Sequence, residues 1–130
     1  MSTSPNNVRK KISSGGAYEE HFGYSRAVRV GNSVHVSGTC APVGYESKGA
    51  YEQARAALSI VQNALKAADA SFEDVVRTVV YIVDMADADE VAKAHREVFG
   101  EVRPASTLVE ITSTLRRWQR VEIETYAIVT

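Results

Sequence analysis

The sequence predicts an α+β domain in which one mixed sheet, in the order β-β-α-β-α-β-β, is backed by two helices. Three patterns carry that reading. Apolar residues recur at helical spacing twice, over residues 54–68 and 88–99. A β-branched run over residues 75–83 is apolar on both faces, as a central strand requires. Residues 120–129 alternate: Val121, Ile123, Thr125, Ala127 and Val129 point one way, and Arg120, Glu122, Glu124 and Tyr126 the other.

Each element follows from local chemistry. The Ser/Pro/Asn-rich start, with Arg9, Lys10 and Lys11, reads as a flexible tail over residues 1–16, leaving 17–130 as a single domain. Residues 24–30 and 34–38 are expected to form two strands joined by the three-residue loop Gly31-Asn32-Ser33. That loop length puts Val28, Val30, Val34 and Val36 on one face and Arg29 with His35 on the other. After a Gly-bearing loop, Ala54, Ala57, Leu58, Val61, Leu65 and Ala68 line one helix. Ser71 opens an S-x-x-D turn ending at Asp74, before the 75–83 strand. The second helix is expected to start with Asp87 as cap and Glu90 three residues on, and to stop at Gly100. Its buried stripe is Ala88, Val91, Ala92, Val98 and Phe99. Pro104 introduces a strand over 105–111, and a turn through Trp118 leads to the last strand. Two helices cover one face of this sheet, so the face bearing Glu122 and Glu124 must meet water or another subunit.

Composition narrows the functional classes. A chain of 130 residues with 45% hydrophobic and 24% charged content and net charge −1 fits one domain able to build a core without metal or disulfide staples. The single cysteine, Cys40, cannot form an internal disulfide. Together with the absence of a leader pattern in residues 1–11, it points to a reducing, cytoplasmic setting. No run approaches the ~20 apolar residues of a membrane span. Near-neutral charge weighs against nucleic acid as a partner, although Arg116, Arg117 and Arg120 around Trp118 have a basic–aromatic look; they read better as solvated turn charges. Cys40, His21, His35 and His95 show no metal-ligand spacing, so a packed thiol and surface histidines are expected, with no metal.

Gly23-Tyr24-Ser25 leading to Val34-His35-Val36-Ser37-Gly38, then Arg103-Pro104-Ala105 before Val109-Glu110, and finally Val121-Glu122-Ile123-Glu124 resemble the signature segments of the Rid/YjgF family, the reactive intermediate deaminases also described as L-PSP-like endoribonucleases. The resemblance runs from about Gly23 to the end of the chain. It implies a chorismate-mutase-like fold, a homotrimer with three inter-subunit clefts, and hydrolysis of a small imine or enamine to a carbonyl compound and ammonia without any cofactor. It also implies that Glu122 activates water, that Tyr24 belongs to the catalytic group, and that the backbone of Gly38 borders the cleft. In the family an arginine after Pro-Ala clamps the substrate carboxylate; this chain has Ser106 there, followed by Thr107, and Leu108 replaces a common cysteine. A bidentate guanidinium–carboxylate pair is stronger than one neutral hydroxyl bond, so small imino acids should be handled less efficiently. Arg103 and Lys93 are the candidate substitute cations. Strand parity turns Arg103 away from Ser106, and Lys93 equally suits a solvated helix face. The chain is therefore expected to bind a small metabolite and to hydrolyse it as a deaminase-type hydrolase with weakened or altered specificity. The alternatives are a non-catalytic ligand-binding or regulatory trimer and, more weakly, an RNA-binding or RNA-cleaving protein.

Overall fold

The computed structural model describes residues 8–130; residues 1–7, part of the expected tail, lie outside the described residues. Six strands form one sheet in the order β1-β2-β3-β6-β4-β5. They are β1 (Lys10–Ile12), β2 (Ala27–Val30), β3 (Ser33–Thr39), β4 (Val75–Ile82), β5 (Ala105–Glu110) and β6 (Val121–Ile128). All neighbours are antiparallel except β4 and β5, which run parallel across the helical crossover that such a pair needs. Helices α2 (Ala50–Ala67) and α3 (Ala88–Phe99) pack side by side on one face. The mixed sheet with helices on one side is the α+β architecture the patterning predicts.

The core lies between α2, α3 and the inward residues of the central strands. Ala54, Ala57, Leu58, Val61, Leu65 and Ala68 are all buried, as their spacing requires, against Val34, Val36, Val80, Ile82, Val121, Ile123 and Ala127. Along β6 the alternation holds from Val121 to Ala127, so Glu122, Glu124 and Tyr126 stand on the face without helices. On α3 the stripe is Val91, Ala94 and Phe99, with Ala88 and Val98 half-buried; Ala92 is exposed.

Several expectations are corrected. Residues 10–12 are not tail: Lys10, Lys11 and Ile12 pair with Arg29, Val28 and Ala27 as an edge strand. Exposed lysines suit an edge, where they discourage further pairing. A third helix, α1 (Ala17–Phe22), follows. The β2–β3 loop is two residues long, because Val30 pairs with Ser33 across Gly31-Asn32 and Gly31 supplies the positive φ of 59°. One residue fewer inverts the relative parity of the two strands. Arg29 therefore shares the helix side with Val34, and its guanidinium donates to the carbonyls of Ala68 (2.8 Å) and Asp69 (3.2 Å) at the end of α2. Val28 and exposed Val30 go with His35. Asp87 makes no cap hydrogen bond; its carboxylate binds Arg120 at 3.0 Å, and Asp84 instead caps the turn before α3 through the N–H of Ala86.

Candidate functional site

The site is built on an irregularity. Val36 pairs with Thr125 and Thr39 with Ile123, so β3 spends one more residue than β6 over this stretch and bulges at Ser37-Gly38. The bulge brings the glycine under the side chain of Glu122. A Cβ on residue 38 would stand 2.8 Å from Cδ and 3.1 Å from Cγ of Glu122, closer still to Oε1. Glycine is thus required here by close approach.

Above this pair opens a cavity of about 670 Å³, lined among others by Tyr24, Arg26, Gly38, Cys40, Arg116 and Glu122. Its floor comes from β3 and β6, and one wall from α1. Tyr18 and Phe22 of that helix stack with ring centroids 5.9 Å apart, and Tyr24 meets Phe22 edge-on at 6.0 Å. The opposite wall is the loop carrying Leu115, Arg116 and Gln119. Buried Gln53 fixes that loop: its Nε2 donates to the carbonyls of Tyr45, Lys48 and Trp118, and its Oε1 accepts from the N–H of Arg120. Gln119 donates to the carbonyl of Ala41, tying the loop to the segment after β3.

The two carboxylates on the strand differ in availability. Glu124 accepts hydrogen bonds from Tyr81 (2.5 Å) and Tyr126, and these bonds raise both phenol pKa values, that of Tyr81 to about 12. Among the described residues Glu122, one step along the same face, accepts only a weak thiol bond, Cys40 Sγ to Oε2 at 3.6 Å. The Glu122 side chain lines the cavity with lone pairs left to accept further hydrogen bonds. Burial and the Glu122 charge push the Cys40 thiol up to about 12, so it is a hydrogen-bond donor at neutral pH and not a thiolate nucleophile.

Arg26 is the buried cation of the site. It is 7% exposed, and its Nη1 donates to the Gly38 carbonyl and to Thr39 Oγ1, both at 3.0 Å. Its guanidinium lies over the Tyr24 ring, 5.3 Å from the centroid. Cys40, expected as a packed thiol, is half-buried and lines the cavity beside Arg26. Arg26 stands in the bend just before β2, with its guanidinium brought to Tyr24, two residues earlier.

Of the residues singled out from sequence, Glu122, Tyr24 and Gly38 come together around this cavity. The other four stand elsewhere in the chain. Ser106 accepts from Thr78 Oγ1 (2.7 Å), which also meets His95 Nε2 at 2.8 Å on the helix side. His95 is consequently half-buried rather than a surface histidine, and burial lowers its pKa. Thr107 Oγ1 accepts from Arg77 at 2.8 Å. Arg103 donates to the Gly100 carbonyl at 3.2 Å, and Lys93 caps the ring of Tyr51 at 4.9 Å. Strand β4 separates β5 from β6, and every residue of β5 is exposed. The arginines around Trp118 also part company: Arg120 is paired with Asp87, and Arg116 turns to the cavity. Among the described residues no group of three or more His, Cys, Asp or Glu side chains is placed to hold a metal ion, and no helix is long and apolar enough to cross a membrane.

This sheet order, with helices on one face, defines an α+β protein of the chorismate-mutase-like kind. The chain belongs to the Rid/YjgF family: the family model described as Endoribonuclease L-PSP matches residues 16–129. It is similar to 2-iminobutanoate/2-iminopropanoate deaminase of Mus musculus, with 34% identity over 128 residues, 93% of this chain and 92% of that protein. An uncharacterised protein of Streptomyces coelicolor is 36% identical over 122 residues, covering 90% of this chain and 91% of its own length. Among solved structures, a member of the YjgF/YER057c/UK114 family from Mycobacterium tuberculosis superposes with a TM-score of 0.89 at 39% identity, covering 94% of this chain and all of that one.

Proposed function

We propose that the chain hydrolyses an imine or enamine of a small metabolite, with Glu122 as the water-activating carboxylate. The observation that carries this reading is the contrast between two carboxylates lining one cavity: Glu124 is held by two tyrosines, and Glu122 by a weak thiol bond among the described residues. Glu122 takes a proton from water as the oxygen attacks the carbon of the protonated imine, giving a neutral carbinolamine. Returned to the nitrogen, that proton makes ammonia the leaving group, and Glu122 takes the hydroxyl proton as the C–N bond breaks and the carbonyl forms. No metal or organic cofactor is needed for this sequence. The deaminase relatives support the reaction class.

The proposal includes a cytoplasmic homotrimer. The edge strand β5, every residue of it exposed and with Leu108 and Val109 at 36% and 40%, supports a subunit contact. Sedimentation or light scattering tests the assembly. Ammonia release from freshly generated 2-iminopropanoate and larger 2-imino acids tests the chemistry, with Glu122→Gln as control. Release above the spontaneous rate that vanishes in the variant is expected; no acceleration with any imino acid sinks the hydrolase reading. Ser106, in place of the family arginine, favours a second reading, a ligand-binding trimer without catalysis. That reading gains if ligands bind equally to wild type and Glu122→Gln and neither accelerates hydrolysis.

A further inference from the structure

We propose that Ser14 is a phosphorylation site for a serine/threonine protein kinase directed by basic residues, and that phosphate there releases helix α1 from the wall of the cavity. The effect on ligand binding rests on the cavity being the ligand site proposed above, because α1 carries Tyr18 and Phe22. The modification and the release of the helix stand apart from that reading.

The segment before the serine supplies the recognition. Arg9, Lys10 and Lys11 lie five, four and three residues ahead of Ser14, and all three are exposed, as is the irregular stretch from Ser13 to Gly16 that follows β1. An exposed stretch without regular structure fits a kinase groove, and a groove lined with carboxylates selects basic residues on the N-terminal side of the acceptor. β1 is three residues long and pairs only with β2 at the edge of the sheet, so the basic run leaves it at small cost. In the transfer, Ser14 Oγ bonds to the γ-phosphorus of ATP, the bond from that phosphorus to the bridging oxygen breaks to release ADP, and the hydroxyl proton passes to the kinase.

What the phosphate meets decides its effect. Glu19, 7% exposed, is the one buried residue of α1, and its carboxylate accepts from the Ser14 hydroxyl and from the Ser14 N–H at 3.2 and 3.4 Å. Burial pushes the Glu19 pKa up, but hydrogen bonds from Ser14, Ser13 and Gly16 lower it overall, so the carboxylate is charged at neutral pH. Phosphorylation replaces the donated hydroxyl proton with a group of about −1.5 to −2 charge on the very oxygen that touches Glu19. A donor is lost, and two anions are left together where water screens them poorly. Helix α1 offers little to offset this. Six residues make a weak dipole, and no apolar side chain of α1 is buried to hold it once Glu19 moves out. Tyr18 and Phe22 then leave the cavity wall.

Incubation of the full chain with ATP and the catalytic domain of protein kinase C, followed by tandem mass spectrometry, tests the site. Phosphate on Ser14 is expected, at a rate at least 10-fold lower when Lys10→Gln and Lys11→Gln are combined; no phosphate on Ser14, or phosphate on Ser13 alone, overturns it. Hydrogen exchange then reads the helix. Amides of residues 17–24 should exchange at least 10-fold faster in the phosphoprotein than in the unmodified chain. Glu19→Gln, whose amide can donate to the phosphate, should show no such acceleration on phosphorylation, and thermal melting verifies that the variants are folded. Unchanged exchange in the wild-type phosphoprotein, or equal acceleration in Glu19→Gln, overturns the release. KM for imine hydrolysis should rise at least 3-fold on phosphorylation. Faster exchange with unchanged KM overturns only the cavity as ligand site, and no hydrolysis in either form overturns only the hydrolase reading.

Discussion

The carboxylate of Glu122 fills the space where a Cβ on residue 38 would stand, so Gly38 on β3 and Glu122 on β6 form a matched pair across the bulge. The glycine has no positive φ to defend. Gly38→Ala therefore acts through the glutamate: the methyl group pushes the carboxylate aside while the strand backbone is preserved. If Glu122 activates water, displacement of about 1 Å is expected to lower kcat by about 100-fold. Thermal stability should change much less, since the displaced side chain ends in the cavity. Parallel measurement of imine hydrolysis and melting temperature checks this; a variant with wild-type kcat would mean that the carboxylate position is not critical.

Cys40 gives a prediction with a definite sign in pH. Burial and the neighbouring Glu122 charge raise its pKa to about 12, whereas an unfolded cysteine ionises near 9.0. Its contribution to stability is therefore fully present below pH 9 and is lost as pH rises toward 12, because only the unfolded chain releases the proton in that window. Tyr81, also raised to about 12, acts with the same sign over the upper part of that range. Cys40→Ala should flatten the alkaline fall in urea-unfolding free energy, and Cys40→Ala with Tyr81→Phe should flatten it further. Glu122→Gln, which removes a charge opposing the thiolate, should speed iodoacetamide alkylation of Cys40 at pH 8. An unchanged alkylation rate would show that Glu122 does not control the thiol.

The pieces of this site that were legible in the sequence are those set by period two within one strand. Glu122 could be placed on the uncovered face because β6 alternates without interruption. The bulge was not legible, since nothing in Ser37-Gly38 distinguishes a glycine needed for close approach from one tolerated in a strand. Relations between strands fared worse. The parity of β2 against β3 hung on whether Ser33 belonged to the loop, and its pairing with Val30 moved Arg29 to the helix side and Val28 to His35. Helix α1 is six residues long, too short to show a period, and β1 is three. The burial of Arg26 was not legible either, because its hydrogen-bond partners, Gly38 and Thr39, are twelve and thirteen residues away.

His95 titrates with the opposite sign to Cys40. Burial against Thr78 and Phe99 lowers its pKa below 6.5, so the native state resists the proton that the unfolded chain accepts. The stability it allows is complete above pH 6.5 and declines as pH falls toward the lowered native value. His95→Gln, able to keep a hydrogen bond to Thr78, should lessen the stability loss between pH 6.5 and 5. Urea unfolding at intervals across that range measures it, and identical slopes for variant and wild type would remove His95 as the cause.

Arg29 ties the hairpin to the end of α2 through the carbonyls of Ala68 and Asp69, with Nε on the Gly31 carbonyl at 2.9 Å. A cation on terminal helix carbonyls combines charge-assisted hydrogen bonds with the negative end of the helix dipole. Arg29→Ala is expected to cost about 1–2 kcal/mol in urea unfolding. It should leave imine hydrolysis unchanged, because Arg29 lies on the helix side of the sheet, away from the cavity.

Gln53 joins stability to the site, since its side chain is wholly buried and serves four backbone groups from two loops. Gln53→Leu preserves volume but deprives those groups of their partners. With one or two left without water, the cost is about 2–4 kcal/mol. Unlike Arg29→Ala, this change should also reach function. The Trp118 carbonyl and the Arg120 N–H anchor the loop that carries Leu115, Arg116 and Gln119 along the cavity wall. Release of that anchor lets the wall move while Glu122, held in β6 between two strands, stays in place. KM should therefore rise with kcat nearly constant, the reverse of the Gly38→Ala pattern. Steady-state kinetics of the two variants side by side separates wall from base, and a fall in kcat without a change in KM for Gln53→Leu would show that the loop also governs the position of Glu122.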